Sequence, residues 1–139
     1  MISTKGRYAL RVMIDLARQE QGTLVPLKDI AERQELSKKY LEIIVRELVE
    51  GKLVTGSSGR RGGYRLTRKP EEYTVAEILE RMEGTLSPVA CLADAEYVCS
   101  RKKECRTLPM WKDFYRVVRE YFSGITLADL LQDSFPGHI

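Results

Sequence analysis

The chain has 139 residues, a length that fits one domain of ordinary size with a real hydrophobic core. With 43% hydrophobic and 31% charged residues, its composition excludes a largely disordered protein. No apolar run approaches the roughly 18 residues that a membrane span needs, and the N-terminal residues form no apolar signal region. We therefore expect a cytoplasmic protein without membrane contacts.

The net charge of +3 is distributed unevenly along the chain. Residues up to Pro70 include 15 Lys and Arg against 8 Asp and Glu, whereas the remainder includes 8 against 12. A basic first half indicates a polyanion as partner, although a solvated basic surface explains the same counts.

Three helices are predicted in the first fifty residues. The first begins near Thr4, which can cap it, and ends near Gln19, and the second extends from Leu27 to about Gln34. Ser37 caps a third helix, which buries its apolar face and ends at Gly51. Two short helices joined by a tight turn, with the second capped and amphipathic, match the helix-turn-helix pattern.

A basic hairpin is predicted directly after this helix pair. Strand-like segments at 52–57 and 63–67 flank a glycine-containing tip with two arginines, which gives the layout of a winged helix. The third helix then enters a major groove of double-stranded DNA, and the arginines contact phosphates or an adjacent minor groove. Solvated charges are the alternative reading. The candidate DNA-binding residues are Lys38, Lys39, Tyr40, Glu42, Arg46, Ser58, Gly59, Arg60 and Arg61.

The second half predicts two further helices, a loop between them and a last short helix. Thr74 caps a helix ending at Gly84, and Thr107 caps a long helix ending at Gly124. The long helix has an aromatic stripe that either packs on its own domain or forms the seam of a homodimer, whose two heads read half-sites about 34 Å apart. The candidate seam residues are Trp111, Phe114, Tyr115, Val118 and Phe122.

The sequence therefore predicts a mainly α fold with a small β wing, in three parts. Residues 1–84 form a winged helix-turn-helix DNA-binding head, residues 85–106 form a cysteine loop, and residues 107–139 form the dimerisation helix and a short C-terminal helix. The tail from Ser134 onward, which includes the single histidine His138, is expected to be frayed.

The loop holds all three cysteines of the chain, Cys91, Cys99 and Cys105. Thiolates select zinc, copper(I) or iron-sulfur centres, and three on one loop are readily explained as ligands. Three unconnected thiols, a structural zinc site and a cluster-free thiol sensor remain as alternatives. An odd number of cysteines argues against disulfides, and the lack of a C-x-x-C pair or a serine-histidine arrangement argues against an enzyme with a small-molecule substrate.

Several segments together resemble one family, the IscR-type regulators. They are STKGRYAL, PLKDIAERQELSKKYLE, GRRGGYRL, MEGTLSPVAC and W-x13-ITLADL, which span nearly the whole chain. The resemblance implies a dimeric bacterial winged-helix transcription factor that holds an iron-sulfur cluster through three cysteines, and it favours a 2Fe-2S over a 4Fe-4S cluster. One branch of the family controls cysteine metabolism without a cluster and lacks these cysteines.

The resemblance leaves the fourth cluster ligand open. The family's ligand histidine corresponds to Leu108, and the aspartate of the nitric-oxide-sensing branch corresponds to Arg7. The candidates that remain are a group from the partner subunit, a small exogenous ligand, or one of the loop carboxylates Asp94, Glu96 and Glu104.

Two positions of the predicted DNA interface also bear on the resemblance. Glu42 matches the glutamate with which the family discriminates among target sites. Ser58 stands where the family's wing has an arginine, so we expect the wing contact to come from Arg60 or Arg61.

Overall fold

The computed structural model describes residues 1–94, 96, 99–133 and 135. Its helices and strands are, in chain order, α1 Thr4–Ala17, α2 Leu27–Gln34, α3 Lys38–Glu50, β1 Val54–Ser57, β2 Gly63–Leu66, α4 Val75–Glu83, α5 Ala90–Ala93 and α6 Leu108–Ser123. This mainly helical order with a two-stranded antiparallel hairpin confirms the predicted winged-helix fold. Among the described residues, no helix is both long and apolar enough to cross a membrane.

The differences from the predicted elements are small. Most lie at helix ends, and α5 is a single helical turn in the segment predicted as a loop. Ser3, not Thr4, caps α1, because its hydroxyl accepts a hydrogen bond from the backbone N–H of Gly6 at 3.1 Å. The expected last helix is a single 3-10 turn, Asp129–Leu131. The prediction for the C-terminal tail, including His138, falls mostly on residues outside the described part of the chain.

The core of the head lies between α1, α3, α4 and the wing. Its fully buried side chains include Met13, Ile30, Leu41, Ile44, Leu48, Tyr73 and Ile78. One charged side chain is buried among the described residues. Asp15 is only 3% exposed, and it accepts two hydrogen bonds from the Arg33 guanidinium, at 2.9 and 3.0 Å. This paired charge joins α1 to α2 and thereby fixes the first half of the helix-turn-helix.

The wing is anchored at its base to the segment between α1 and α2. The backbone groups of Val25 and Tyr64 exchange two hydrogen bonds, at 2.8 and 2.9 Å. Gly63 permits this approach, since a Cβ at that position would lie 2.5 Å from the carbonyl group of Val25, and its φ of +156° is one that other residues rarely adopt. The hairpin is therefore held at a fixed angle to the helix-turn-helix.

The hydroxyl of Tyr73 ties the two ends of the hairpin together. It donates to the carbonyl oxygen of Leu53 at 2.7 Å, just before β1. It also accepts from the backbone N–H groups of Thr67 and Arg68, at 2.9 and 3.0 Å, just after β2. The ring is completely buried, and so is the hydrogen bond to Leu53, so water cannot readily replace the hydroxyl there.

Replacing Tyr73 by phenylalanine tests this bracing role. We expect the free energy of unfolding to fall by about 2 kcal/mol, because the change removes the shortest hydrogen bond of the buried Leu53 carbonyl and the acceptor of two backbone N–H groups. Urea denaturation measures the loss. Tyr64→Phe is the matched control and should change stability by less than about 0.5 kcal/mol, since no hydrogen bond of its hydroxyl is found among the described residues. Equal effects of the two changes would contradict the role.

A second, smaller core joins α6 to the head. Val75, Leu79, Leu86 and Ile125 are buried in it. After α6 the chain returns to the head, where Ile125 and Leu127 form backbone hydrogen bonds with Val75 and Tyr73, at 2.8 and 3.0 Å. The long helix is thus packed against the DNA-binding head, and the cysteine loop connects α4 to the first turn of α6.

Candidate DNA interface and cysteine site

The candidate recognition helix is α3, which presents one buried and one exposed face. Ser37 caps it by accepting from the backbone N–H of Tyr40 at 3.2 Å, and the buried face packs in the head. The exposed face carries Lys39, Glu42, Ile43 and Arg46, which recur at helical spacing. Within the described part of the chain, Lys38, Lys39, Glu42 and Arg46 make no side-chain hydrogen bond or ion pair, so their charges are free to meet a ligand.

Tyr40 differs from the other predicted DNA-binding residues of α3 in its environment. It is half-buried, and its ring contacts the Tyr8 ring edge to face, with 5.9 Å between centroids. The Arg11 guanidinium in turn lies 5.0 Å from the centre of the Tyr8 ring. Tyr40 therefore fixes the first turn of α3 against α1.

The wing tip is fully exposed. Ser58, Gly59, Arg60 and Arg61 all lie on the surface, and the turn is closed by a backbone hydrogen bond of 3.0 Å from Gly62 to Gly59. Neither arginine has an ion-pair partner in the described residues. Two unpaired guanidinium groups at the end of a rigid hairpin are suited to contact phosphates.

The three cysteines line one cavity of about 230 Å³ at the start of α6. Cys91 lies on the short helix α5, a helical turn within the segment that the sequence predicted as a loop, and Cys99 and Cys105 flank a 3-10 turn at Lys102–Glu104. All three thiols are free and half-buried. Among the described residues, Leu92, Asp94, Lys102, Leu108 and Lys112 also line the cavity.

The environment of Cys105 favours its thiolate form. The hydroxyl of Thr107 lies 3.5 Å from the sulfur, and this contact is the largest cause that lowers the pKa of the Cys105 thiol below its ordinary value. Backbone N–H groups at the start of α6 and the charge of Arg101 lower that pKa further. Thr107 thus occupies the predicted cap position of α6, but its hydroxyl makes no capping hydrogen bond.

The donor set fits an iron-sulfur cluster by its chemistry and its shared cavity. In the described residues, no three His, Cys, Asp or Glu side chains are already arranged to hold a metal ion. Ligation therefore requires the thiols to move together across the cavity that they line. Soft thiolate donors, one of them with a lowered pKa, are the ligands that such clusters use.

The predicted dimer seam is divided between the two sides of α6. Tyr115, Val118 and Phe122 are half-buried and pack against the second core of their own chain. The outward side carries Met110, Phe114 and Val117, which are 53%, 42% and 49% exposed. These three, spaced i, i+4 and i+7, form one apolar stripe, which we call the outer stripe. Trp111 contacts Phe114 edge to face.

Two features of the candidate sites were missed by sequence reasoning. Ile43 is 44% exposed in the middle of the polar face of α3, although isoleucine is usually a core residue. The spacing of the inward-facing residues of α3 could have shown that Ile43 lies on the opposite, exposed face. The predicted dimer seam also omitted Met110 and Val117, because that prediction followed the aromatic residues of α6.

A helix-turn-helix packed on a basic hairpin, with an exposed recognition helix, defines a winged-helix DNA-binding protein. The particular family follows from comparison with known proteins. The family model described as "Rrf2: Iron-dependent Transcriptional regulator" matches residues 2–133, and the chain belongs to this family. The predicted resemblance to IscR-type regulators is confirmed.

Curated relatives and solved structures agree with this assignment. The HTH-type transcriptional regulator IscR of Aliivibrio salmonicida is 34% identical over 133 residues, which cover 96% of this chain and 78% of that protein. Protein rrf2 of Nitratidesulfovibrio vulgaris is 33% identical over 133 residues, which cover 96% of this chain and 88% of that protein. The family assignment and these relatives show that the chain is a DNA-binding transcriptional regulator and not an enzyme, as predicted.

Among solved structures, CymR (YrzC), the global cysteine regulator of B. subtilis, matches with a TM-score of 0.74 and 37% identity, covering 94% of this chain and 95% of that one. The structure of T. potens IscR matches with a TM-score of 0.72 and 36% identity, covering 96% of this chain and 87% of that one. The same fold is thus found in a cysteine regulator and in an IscR protein.

Proposed function

We propose that this protein is a homodimeric regulator that binds two DNA half-sites and adjusts its DNA binding to the state of an iron-sulfur cluster held by Cys91, Cys99 and Cys105. The observation that supports it most is the shared cavity, because all three cysteines line one space next to α6. A bound cluster would supply iron that can change oxidation state, react with small molecules or be lost. The proposal includes action in the cytoplasm and favours a 2Fe-2S cluster.

DNA recognition in this proposal is shared between α3 and the wing. Lys38 and Lys39 contact phosphates at the start of α3, and Arg46 reads guanine in the major groove. Glu42 is an acceptor for the amino group of cytosine. Arg60 and Arg61 contact the DNA backbone or the minor groove, and Ser58 and Gly59 shape the wing tip. Tyr40 holds the first turn of α3 in place against α1.

Ile43 adds an apolar contact to this interface. An exposed branched side chain between Glu42 and Arg46 is suited to the 5-methyl group of thymine, the apolar feature of the major groove. We expect replacement of the contacted thymine in both half-sites by deoxyuridine to weaken wild-type binding about fifteenfold, which corresponds to one buried methyl group per subunit, or two per dimer. Ile43→Ala should bind both DNAs equally, as measured by fluorescence anisotropy on an operator selected from a random library.

Val49→Ala is the matched control for Ile43, because Val49 is the other large apolar side chain of α3 exposed in the described chain. This variant should keep the preference for thymine over deoxyuridine. If Ile43→Ala keeps that preference as well, Ile43 does not contact a thymine methyl.

The homodimer in this proposal forms through the outer stripe of α6. Three apolar side chains on one exposed helix face are what a two-fold contact between identical helices needs. In this arrangement the dimer contact itself does not include Tyr115, Val118 and Phe122. They pack α6 against the head of the same chain and thereby hold the outer stripe in position. Trp111 contributes at the edge, through its contact with Phe114.

Signal transfer follows from the connection between the cysteine loop and α6. The loop ends at Thr107, where α6 begins, and α6 is tied to α4 by packing and by an ion pair of 3.1 Å between Arg119 and Glu80. Ordering the loop therefore shifts the start of the dimer helix relative to the heads. A tenfold change in DNA affinity needs only about 1.4 kcal/mol of differential stabilisation.

Anaerobic purification tests the cofactor part of the proposal. We expect visible absorption with matching iron and sulfide, and its loss when any of the three cysteines is replaced by alanine. If the protein takes up no iron and sulfide even after reconstitution, the proposal is wrong. Stoichiometric zinc in that case would indicate a structural metal site.

A further inference from the structure

We propose that the carboxylate of Asp94 is the fourth protein ligand of the cluster, an inference that rests on the proposed function. The cavity lined by the three cysteines is also lined by Asp94. The carboxylates of Glu96 and Glu104 do not line it. Among the described residues that line the cavity, Asp94 thus contributes the one side chain besides the thiols that can ligate iron at neutral pH.

The spacing of Asp94 from Cys91 suits two ligands of one metal site. Cys91 lies on α5, and Asp94 is the residue at which this helical turn ends. Asp94 directly follows the last residue of α5 and has an extended backbone, so about one helical turn of chain separates it from Cys91. Both residues line the same cavity, so α5 need not refold for both to act as ligands.

The Asp94 carboxylate is oriented and has one oxygen available. Its Oδ1 accepts a hydrogen bond from the backbone N–H of Glu96 at 2.9 Å. Its Oδ2 makes no hydrogen bond within the described chain, so it can bind iron while the bond to Glu96 holds the group in place. The backbone therefore supplies the outer hydrogen bond that ligand carboxylates commonly have.

The charges around the cavity suit an anionic ligand set. Three thiolates and one carboxylate bring four negative charges together, which exceed the net positive charge of an iron-sulfide core because the sulfides cancel most of the charge of the iron. Lys102 and Lys112 both line the cavity and supply positive charge there. Leu108 also lines the cavity but has no donor atom, and Arg7 lies on α1 and does not line it.

The test compares wild type, Asp94→Ala, Asp94→Cys and the control Glu96→Ala after anaerobic reconstitution with iron and sulfide. Iron and sulfide content, visible absorption, electron paramagnetic resonance of the reduced cluster and the rate of iron loss to a chelator are the readouts. We expect Glu96→Ala to match wild type and Asp94→Ala to lose iron at least about tenfold faster. Asp94→Cys should retain the cluster but shift both spectra, because sulfur replaces oxygen on one iron.

The outcomes separate this inference from the function on which it rests. If wild type and Asp94→Ala assemble the same cluster, with the same spectra and the same rate of iron loss, Asp94 is not a ligand, and the proposed function stands. If wild type assembles no cluster, the proposed function is overturned, and the assignment of Asp94 is overturned with it.

Discussion

Replacing Phe114 by lysine should convert the proposed homodimer to monomers and lower the affinity for a two-half-site operator at least about 100-fold, which is about 2.7 kcal/mol. Phe114 is 42% exposed at the centre of the outer stripe, between Met110 and Val117. A charge there is buried without a partner when two copies meet, and the second head no longer binds from an effectively high local concentration. Sedimentation velocity measures the dimer, and anisotropy measures DNA binding.

Ser123→Lys is the matched control for this prediction. Ser123 is exposed on the last turn of the same helix, away from the outer stripe. Its replacement by lysine therefore introduces the same charge outside the proposed seam. This variant should stay dimeric. A dimeric Phe114→Lys protein with unchanged DNA affinity would place the seam elsewhere.

Removing both wing arginines should weaken DNA binding about equally for all sequences. In the double variant Arg60→Ala and Arg61→Ala, two phosphate contacts per subunit are lost, so four are lost per dimer. Each neutralised phosphate contributes about 0.9 to the slope of log affinity against log salt, and we expect the slope to become shallower by about 3 to 4. The corresponding loss of affinity at low salt is at least about 100-fold.

The control removes the same charge from other exposed positions. Arg18 and Arg65 lie on the surface, and neither has an ion-pair partner within the described chain. Their double replacement by alanine should leave the salt slope within about one unit of wild type. If the wing variant keeps the wild-type slope, Arg60 and Arg61 do not contact phosphates, and general affinity comes from α3 alone.

Most of the fold could be predicted from local sequence signals. Ser37 and Gly51 mark the ends of α3, and Gly59, whose φ is +104°, marks the wing turn, because capping and turn geometry depend on residues close in sequence. Two predictions of helix ends were wrong, the cap of α1 and the last helix after Thr126, because these ends depend on competing hydrogen bonds. Thr126 and Asp129 bond reciprocally, at 2.9 and 3.1 Å, and only a short 3-10 turn follows.

The candidate sites were less predictable, because they depend on contacts between distant elements. The choice between the two apolar sides of α6 requires knowing that Tyr115 and Val118 face Leu79 and its neighbours in the second core. Likewise, Asp94 could be separated from Glu96 and Glu104 only after the chain placed it beside the cysteines. Sequence spacing alone did not distinguish among the three carboxylates as candidate cluster ligands.

The most direct test of the account measures the DNA affinity of the same protein preparation with and without its cluster, at one salt concentration and under anaerobic conditions. We expect at least a tenfold difference, about 1.4 kcal/mol, and a Cys99→Ala variant that binds like the cluster-free protein after either treatment. Equal affinities of the loaded and cluster-free wild type would contradict it. The protein would then be a DNA-binding regulator whose DNA affinity does not depend on its cysteine site.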